Sequence, residues 1–531
     1  MKRILILGAG LMQAPALETA KALGLSAIAV DGNIDAPFAH LAARFFHIDL
    51  KDKEALLDLA TRLKNEDEGL AAVFTAGTDF SYAVAFIAEK LRLPGNSYQT
   101  ALNTTDKARM RSCFDAAGVP SPRYVRVTAA AAQSPPAMPF DFPAVVKPVD
   151  NMGARGCRRV DGEAELKDAL EDALKFSRSG AAIVEEYMDG AEFSIDSVVY
   201  QNSIYITGFA DRHIFFPPYF IEMGHTIPSS LDAEKTAAVL DVFKKGIYAL
   251  GINSGCAKGD VKLTSRGPMI GEIASRLSGG YMSGWTYPYS SGAELTKAAM
   301  LAALGATKSE VEAALAVRHN STSAERAFIS IPGTIRKIYG AEECKKIEYI
   351  KDIFLRVKAG DKVEFPVNNV TKCGNVISAA PSREAAVRAA ESAAAGIYLE
   401  LEYPNQQTQD FLDGAKDGAV FPPAAFALSA GLLRECNALA SSSIIGRIQP
   451  ENTVLTPFPA LLDSGLRDRQ GRTAAEALTA VREISGLPLP FLASEGITAN
   501  VLGRGFWSAF ARGGYQGAAY YIQKVTSEFK G

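Results

Sequence analysis

A chain of 531 residues is too long for one hydrophobic core and implies roughly three or four folded units. Apolar residues make up 48% and charged residues 22%, an ordinary balance for a water-soluble globular protein. The net charge of −3 gives no basic footprint for nucleic acid. The six cysteines are scattered, with no Cys-x-x-Cys pair and no histidine at metal spacing, which argues for a reduced, cytoplasmic protein without structural zinc.

The chain opens on a short apolar run that breaks at Gly8. It lacks the full apolar stretch and cleavage site of a signal peptide, so it reads as a buried first strand. No later segment approaches the roughly 18 apolar residues that a membrane span needs. Up to about residue 100, predicted strands at 4–7, 27–31 and 71–75 alternate with predicted helices at 14–23 and 53–63. Apolar strands alternating with amphipathic helices predict a parallel sheet with helices on both faces. The run Gly8-Ala9-Gly10-Leu11-Met12-Gln13 is similar to a dinucleotide fingerprint, but Gln13 stands where the third glycine belongs. The stronger reading is that the glycines let the chain turn tightly from strand to helix.

Residues 101–300 carry four stretches that together describe a bed for ATP and magnesium. The first is Asp106-Lys107-Ala108-Arg109-Met110. The second is Val145-Val146-Lys147-Pro148 with the loop Asn151-Met152-Gly153-Ala154-Arg155-Gly156. Two lysines and a glycine-rich loop can neutralise and cradle a phosphate tail, with Gly153 and Gly156 letting backbone N–H groups fold over it. A strand lysine snorkelling to the surface is the plainer account of Lys147, and an ordinary hairpin turn that of the loop. The third stretch runs from Ile183 through Glu185, Glu186, Tyr187 and Met188 to Glu192. A strand ending this way offers backbone groups and apolar surface for a purine, a carboxylate for its amine, and in Glu192 an acceptor for ribose hydroxyls.

In the fourth stretch, Asp260 and Glu272 lie in two β-like runs joined by the turn Thr264-Ser265-Arg266-Gly267-Pro268. A hairpin of this kind brings two carboxylates together, as hard oxygen ligands for magnesium or as a general acid and base. The upstream lysines favour metal. Arg276, ahead of Gly279-Gly280, is placed to stabilise charge on a transferring phosphoryl group or an acyl oxyanion. A salt bridge to Glu272 or Asp260 is its other reading. Beyond residue 300, predicted short strands at 328–330, 333–339, 347–357, 361–366 and 374–379 and a closing helix at 382–401 outline a small β-rich region. Past Pro404 the composition turns to helical stretches, one at 472–484, with Phe506, Trp507, Tyr520 and Tyr521 as packing residues and no catalytic constellation.

Taken in order, these stretches resemble the ATP-grasp superfamily, and most of all its carboxylate–amine ligases related to L-amino-acid ligases. Phosphoribosylglycinamide synthetase and biotin carboxylase are more distantly similar. The resemblance covers residues 1–402 and not 405–531. The fold it implies is α/β and α+β: a Rossmann-like parallel-sheet domain over 1–100, a two-lobe ATP-grasp domain over 101–300, a small β-rich subdomain over 301–402, and a mainly helical C-terminal extension over 405–531.

The resemblance also implies roles. Lys107 and Lys147 hold phosphates, with the Gly153–Gly156 loop as a lid. Glu185 meets the adenine amine, the backbone of Glu186, Tyr187 and Met188 lines the adenine edge, and Glu192 holds the ribose. Asp260 and Glu272 bind Mg2+, with Mn2+ as a substitute, and Arg276 is the transition-state arginine. The segment 220–228 is similar to one lining the acceptor site, so that Glu222 and His225 meet the substrates; a histidine satisfied within a loop is the other reading of His225. Many members carry Glu-x-Asn at the second metal position, where this chain has Ala274. The implied reaction joins a small-molecule carboxylate to an amine with ATP, without nucleic acid or membrane, and a homodimer is the default assembly. Its rivals are a bicarbonate-using carboxylase, for which no biotin-carrier segment is present, a non-catalytic ATP-binding regulator, and an NAD-dependent dehydrogenase resting on Gly8 and Gly10 alone.

Overall fold

Four of the five residues in Arg3–Leu7 are apolar because this strand lies inside a parallel sheet, between Ser26–Asp31 and Leu70–Phe74, with Arg44–His47 at the edge. Its side chains alternate: Ile4 and Ile6 pack with residues of the helix Ala14–Ala22, Leu5 and Leu7 with those of Lys53–Asn65. At the first turn Gly8 has φ +104°, and a Cβ there would stand 2.8 Å from Gln13 Cδ. The buried Gln13 amide donates to the Ala76 carbonyl at 2.6 Å. The turn is thus filled by a side chain of the chain itself, as the tight-turn reading expects.

The computed structural model describes residues 2–414, 421–441, 453–489 and 500–528. They fall into two compact units, Met1–Glu325 with Ala379–Ala386, and Arg326–Ser378 with Val387–Gly531. Two antiparallel sheets follow the parallel one in the first unit. The smaller runs in the order Tyr124–Thr128, Ala181–Glu186, Ala144–Pro148, Arg158–Val160, and the helix Glu163–Phe176 lays its apolar face on it. The larger runs Gly267–Ala274, Gly255–Thr264, Ala191–Tyr200, Ser203–Phe215, Ile221–Ile227, Thr322–Phe328. Val239, Phe243 and Ile247 of the helix Ala233–Leu250 seal its inner face against Ile195, Val261, Ile270 and Ile273. One face of each sheet is therefore spent on core, and the polar groups of interest sit on the other.

In the second unit Gly333–Tyr339 pairs antiparallel with Lys362–Val363 and with Tyr398–Leu401, and Ile350–Leu355 pairs with Gly374–Ala380. Two expectations are corrected. The strand expected at 328–330 is the end of Thr322–Phe328, and the closing helix stops at Gly396. Residues 398–401 form a strand instead, because Leu399 and Leu401, both 1% exposed, alternate with Glu400 and complete the sheet edge of Gly333–Tyr339. Further on, Ala474–Ser485 is helical and opens on a capping box between Thr473 and Glu476. The long helix Arg504–Glu528 kinks at Gly514, whose φ of 63° and ψ of −150° suit only glycine. Phe506, Trp507 and Tyr520 are buried as expected of packing residues, and the Trp507 indole donates to the Thr456 carbonyl at 2.7 Å. Among the described residues no helix is long and apolar enough to cross a membrane.

Candidate active site

The helix Lys107–Ala117 begins on Asp106, whose carboxylate accepts from the N–H groups of Ala108 and Arg109. That cap fixes Lys107, 5% exposed, with its Nζ 2.8 Å from the Asn151 carbonyl and 3.7 Å from Glu272 Oε1. Burial alone would lower the lysine's pKa, but Glu272, Asp79 and Glu185 outweigh it and raise it, so the ammonium stays charged. The loop after Asn151 is tied by the Asn151 carboxamide oxygen, which accepts from Met152 N–H at 2.8 Å and Arg155 Nη1 at 3.0 Å. Gly153 and Gly156 both have positive φ, and a Cβ at Gly156 would meet the Phe176 ring at 2.8 Å.

Lys147 does not snorkel to the surface: its ammonium lies 2.7 Å from Glu185 Oε2. Glu185, 2% exposed, also accepts from Arg111 Nε at 3.0 Å, and Arg111 itself is fully buried. Burial would raise the Glu185 carboxyl, yet Arg111 and Lys147 override it and hold the group below the usual carboxylate range. Glu186 points elsewhere, to Arg123 at 2.9 Å and Arg266 at 3.0 Å. Tyr187 lies under the Arg159 guanidinium at 4.8 Å, and Lys262 donates to the Met188 carbonyl at 3.1 Å.

Asp260 and Glu272 are register partners across the hairpin of Gly255–Thr264 and Gly267–Ala274. Like charges directly opposite each other are unfavourable unless neutralised. Burial would raise the Glu272 carboxyl, but Lys107, Lys147, Lys258 and Arg276 bring it down to about 2. Two carboxylates facing one another inside a ring of cations are a donor set that fits a divalent magnesium ion. Ala274 is the cross-strand partner of Lys258, whose ammonium pairs with Asp260. A cation therefore stands beside the pair at the position where the resemblance leads one to look for asparagine.

Arg276 is 9% exposed and forms neither of the salt bridges proposed for it. Its Nη1 donates to the Leu277 carbonyl at 3.2 Å, its Nη2 lies 3.8 Å from Asp79, and its buried Nε has no hydrogen-bond partner among the described residues. Glu192 and Glu222 are both held by Arg212, as is Asp260. His225 lies in the strand Ile221–Ile227 rather than in a loop, with Nδ1 3.3 Å from Glu325 and Nε2 2.7 Å from Thr286 Oγ1. The structure thus brings Lys107, Lys147, Glu185, Glu192, Glu222, Asp260, Glu272 and Arg276 into one connected field, and the 2%-exposed His225 ring, turned toward Glu325 and Thr286, has a nitrogen within 4.8 Å of a Glu222 oxygen.

Residues 140–284 match the ATP-grasp domain family, and residues 327–402 match the L-amino acid ligase C-terminal domain 2. The chain carries an ATP-grasp domain. An uncharacterised protein of Sinorhizobium fredii is 28% identical over 348 residues, 64% of this chain and 70% of that one. Carnosine synthase 1 of Gallus gallus is 28% identical over 176 residues, 31% of this chain but only 19% of its own length. Among solved structures, an L-amino acid ligase from Bacillus licheniformis superposes with a TM-score of 0.65 at 24% identity, covering 76% of this chain and 99% of that one, and shares the fold.

Several residues of the polar field were not picked out by their motifs. Arg111 sits four residues after Lys107 on the same helix face, a spacing that could have revealed it. Lys258 and Lys262 flank Asp260 at every second position of one strand face, also a legible signal. Arg212 and Glu325 carry no local signal; only strand pairing brings them in. Asp196, fully buried, accepts from Ser278 N–H at 3.2 Å and Ser278 Oγ at 2.5 Å, and so anchors the turn after Arg276.

Burial pushes the Asp196 carboxyl up to about 6 against those hydrogen bonds. The native state then holds this proton more tightly than the unfolded chain, where an aspartate titrates near about 4. Its stabilising contribution is full below about pH 4 and is lost as pH rises through about 6, a swing of about 3 kcal/mol. Asp196→Asn should therefore flatten the decline of the urea midpoint between pH 4 and pH 6.5 relative to the parent. Equal slopes for the two proteins would remove the assignment.

Proposed function

We propose that this chain is an ATP- and Mg2+-dependent ligase that activates a small carboxylate as an acyl phosphate and joins it to an amine. The observation that carries the reading is the facing pair Asp260 and Glu272, with Lys107, Lys147, Lys258 and Arg276 holding the Glu272 carboxyl down to about 2. The matches to an ATP-grasp domain and to an L-amino acid ligase C-terminal domain, and the likeness to carnosine synthase, support the same class. In this reading the parallel-sheet domain over 1–100 and the ATP-grasp domain over 101–300 build the site.

Lys107 and Lys147 bind the phosphate tail and the loop from Gly153 to Gly156 covers it. The backbone from Glu186 to Met188 lines the adenine edge, Tyr187 flanks the ring, and Glu192 orients the ribose. Glu185 meets the adenine amine while it fixes Lys147. Asp260 and Glu272 would hold Mg2+, which when bound neutralises charge on the phosphate oxygens. A carboxylate oxygen attacks the γ-phosphorus, the bond from that phosphorus to the bridging oxygen breaks, and ADP leaves with the electron pair. The amine nitrogen then attacks the acyl carbon, the bond from that carbon to the phosphate oxygen breaks, and phosphate leaves as the ammonium proton is lost. Arg276 stabilises the charge that develops on phosphoryl and acyl oxygens. Glu222 faces the acceptor, and His225 braces the strand that carries it.

The test is Mg2+-dependent release of ADP and phosphate from ATP, screened over amino acids and small carboxylates singly and in pairs. A pair that stimulates release and yields a product lighter than the pair by one water supports the ligase. Release driven by bicarbonate alone, or ATP binding without turnover on any pair, would overturn it.

A further inference from the structure

One guanidinium holds together three carboxylates to which the proposed function gives three different tasks. Arg212 lies in the strand Ser203–Phe215, beside Ile221–Ile227 on one flank and Ala191–Tyr200 on the other. Its Nη1 donates to Glu192 Oε1 at 2.5 Å and lies 2.8 Å from Asp260 Oδ1 as an ion pair without a hydrogen bond, while Nε donates to Glu222 Oε2 at 3.0 Å and Nη2 reaches the same carboxylate. The four side chains are between 11% and 18% exposed, so solvent screens them only in part. From Gly255–Thr264, the strand beyond Ala191–Tyr200, Lys258 and Lys262 each add a cation, beside Asp260 and Glu192 respectively. A lysine could not replace this fork, because an ammonium is a single point charge, whereas the planar guanidinium presents donors in several fixed directions.

We infer that Arg212 is a positioning residue that couples the acceptor side of the site, Glu222, to its metal and nucleotide side, Asp260 and Glu192. The inference rests on the proposed reading of Asp260 as a metal ligand. A cation arriving at Asp260 competes with Nη1, and a cation arriving at Glu222 competes with Nε and Nη2. Neutralising Glu222 leaves the whole guanidinium to Asp260 and Glu192 and so makes Asp260 a poorer metal ligand. Linkage makes the effect reciprocal.

The probe is Mn2+ alone, followed by electron paramagnetic resonance on the full chain, with a thermal melt on each variant. Arg212→Met should tighten the Mn2+ binding that Asp260→Asn removes by about tenfold or more, and Glu222→Gln should weaken that same binding in the parent. In the Arg212→Met background the Glu222→Gln effect should shrink by at least about threefold, the signature of a pair acting through a shared partner. If Arg212→Met does not fold, Arg212→Lys gives the same cycle, since it keeps a charge but not the fork. Additive effects of the two substitutions, or an Mn2+ affinity indifferent to Arg212, would overturn the coupling. Asp260→Asn separates the two layers of the argument: Mn2+ affinity unchanged in that variant would overturn the metal reading of Asp260 and the coupling with it.

Discussion

Glu272→Gln should abolish ATP turnover, by at least about a hundredfold, in a protein that remains folded. Four cations bring this carboxyl down to about 2, so it is ionised at neutral pH. Glutamine keeps its shape and removes its charge. The loss then falls on the facing pair with Asp260, which needs two anions to hold a divalent ion. The fold is expected to survive because the Glu272 side chain is 31% exposed and Lys107 keeps its hydrogen bond to the Asn151 carbonyl. The measurement is ADP release beside a thermal melt. Full turnover in a folded Glu272→Gln protein would sink the metal assignment, whereas loss of both activity and the melting transition would show that the charge is structural.

Arg111→Met should be the more damaging change to stability. Arg111 is fully buried, bonds Glu185 at 3.0 Å and donates to the Gly271 carbonyl at 2.5 Å. Its removal leaves Glu185 with Lys147 as its buried cation and orphans a carbonyl of the strand that carries Glu272. Breaking a buried ion pair by deleting one partner costs about 3–5 kcal/mol, and the lower end is expected because Lys147 remains. Urea denaturation reads the loss directly. Arg111→Met with Glu185→Gln should recover part of it, since the uncompensated charge is gone. A loss below about 1 kcal/mol would mean that Lys147 alone satisfies Glu185.

The alternation of apolar strands and helices over the first hundred residues was legible, because a strand buried on both faces must be apolar throughout. So was the opposition of Asp260 and Glu272, since a turn between two β-runs sets the register across it. The closing helix was over-extended by one strand because an alanine-rich run hides where helix ends, and the pairing of Leu399 and Leu401 with a distant strand is what ends it. Lys147 and Glu185 were each picked out by motif, but that they neutralise each other, with Arg111 closing the set, depends on two sheet strands and a helix meeting in space.

By itself, then, the sequence determined the residue types of the site, their order and the local elements that present them. Those follow from short-range rules of strand period, capping and turn geometry. Only the tertiary structure decided which charges face which. Arg212 and Glu325 enter the site through the two strands that flank Ile221–Ile227 in one sheet, and His225 spends its ring on Glu325 and Thr286. Electrostatic partnership is set by distance in space and by burial, and neither is written into the spacing along the chain.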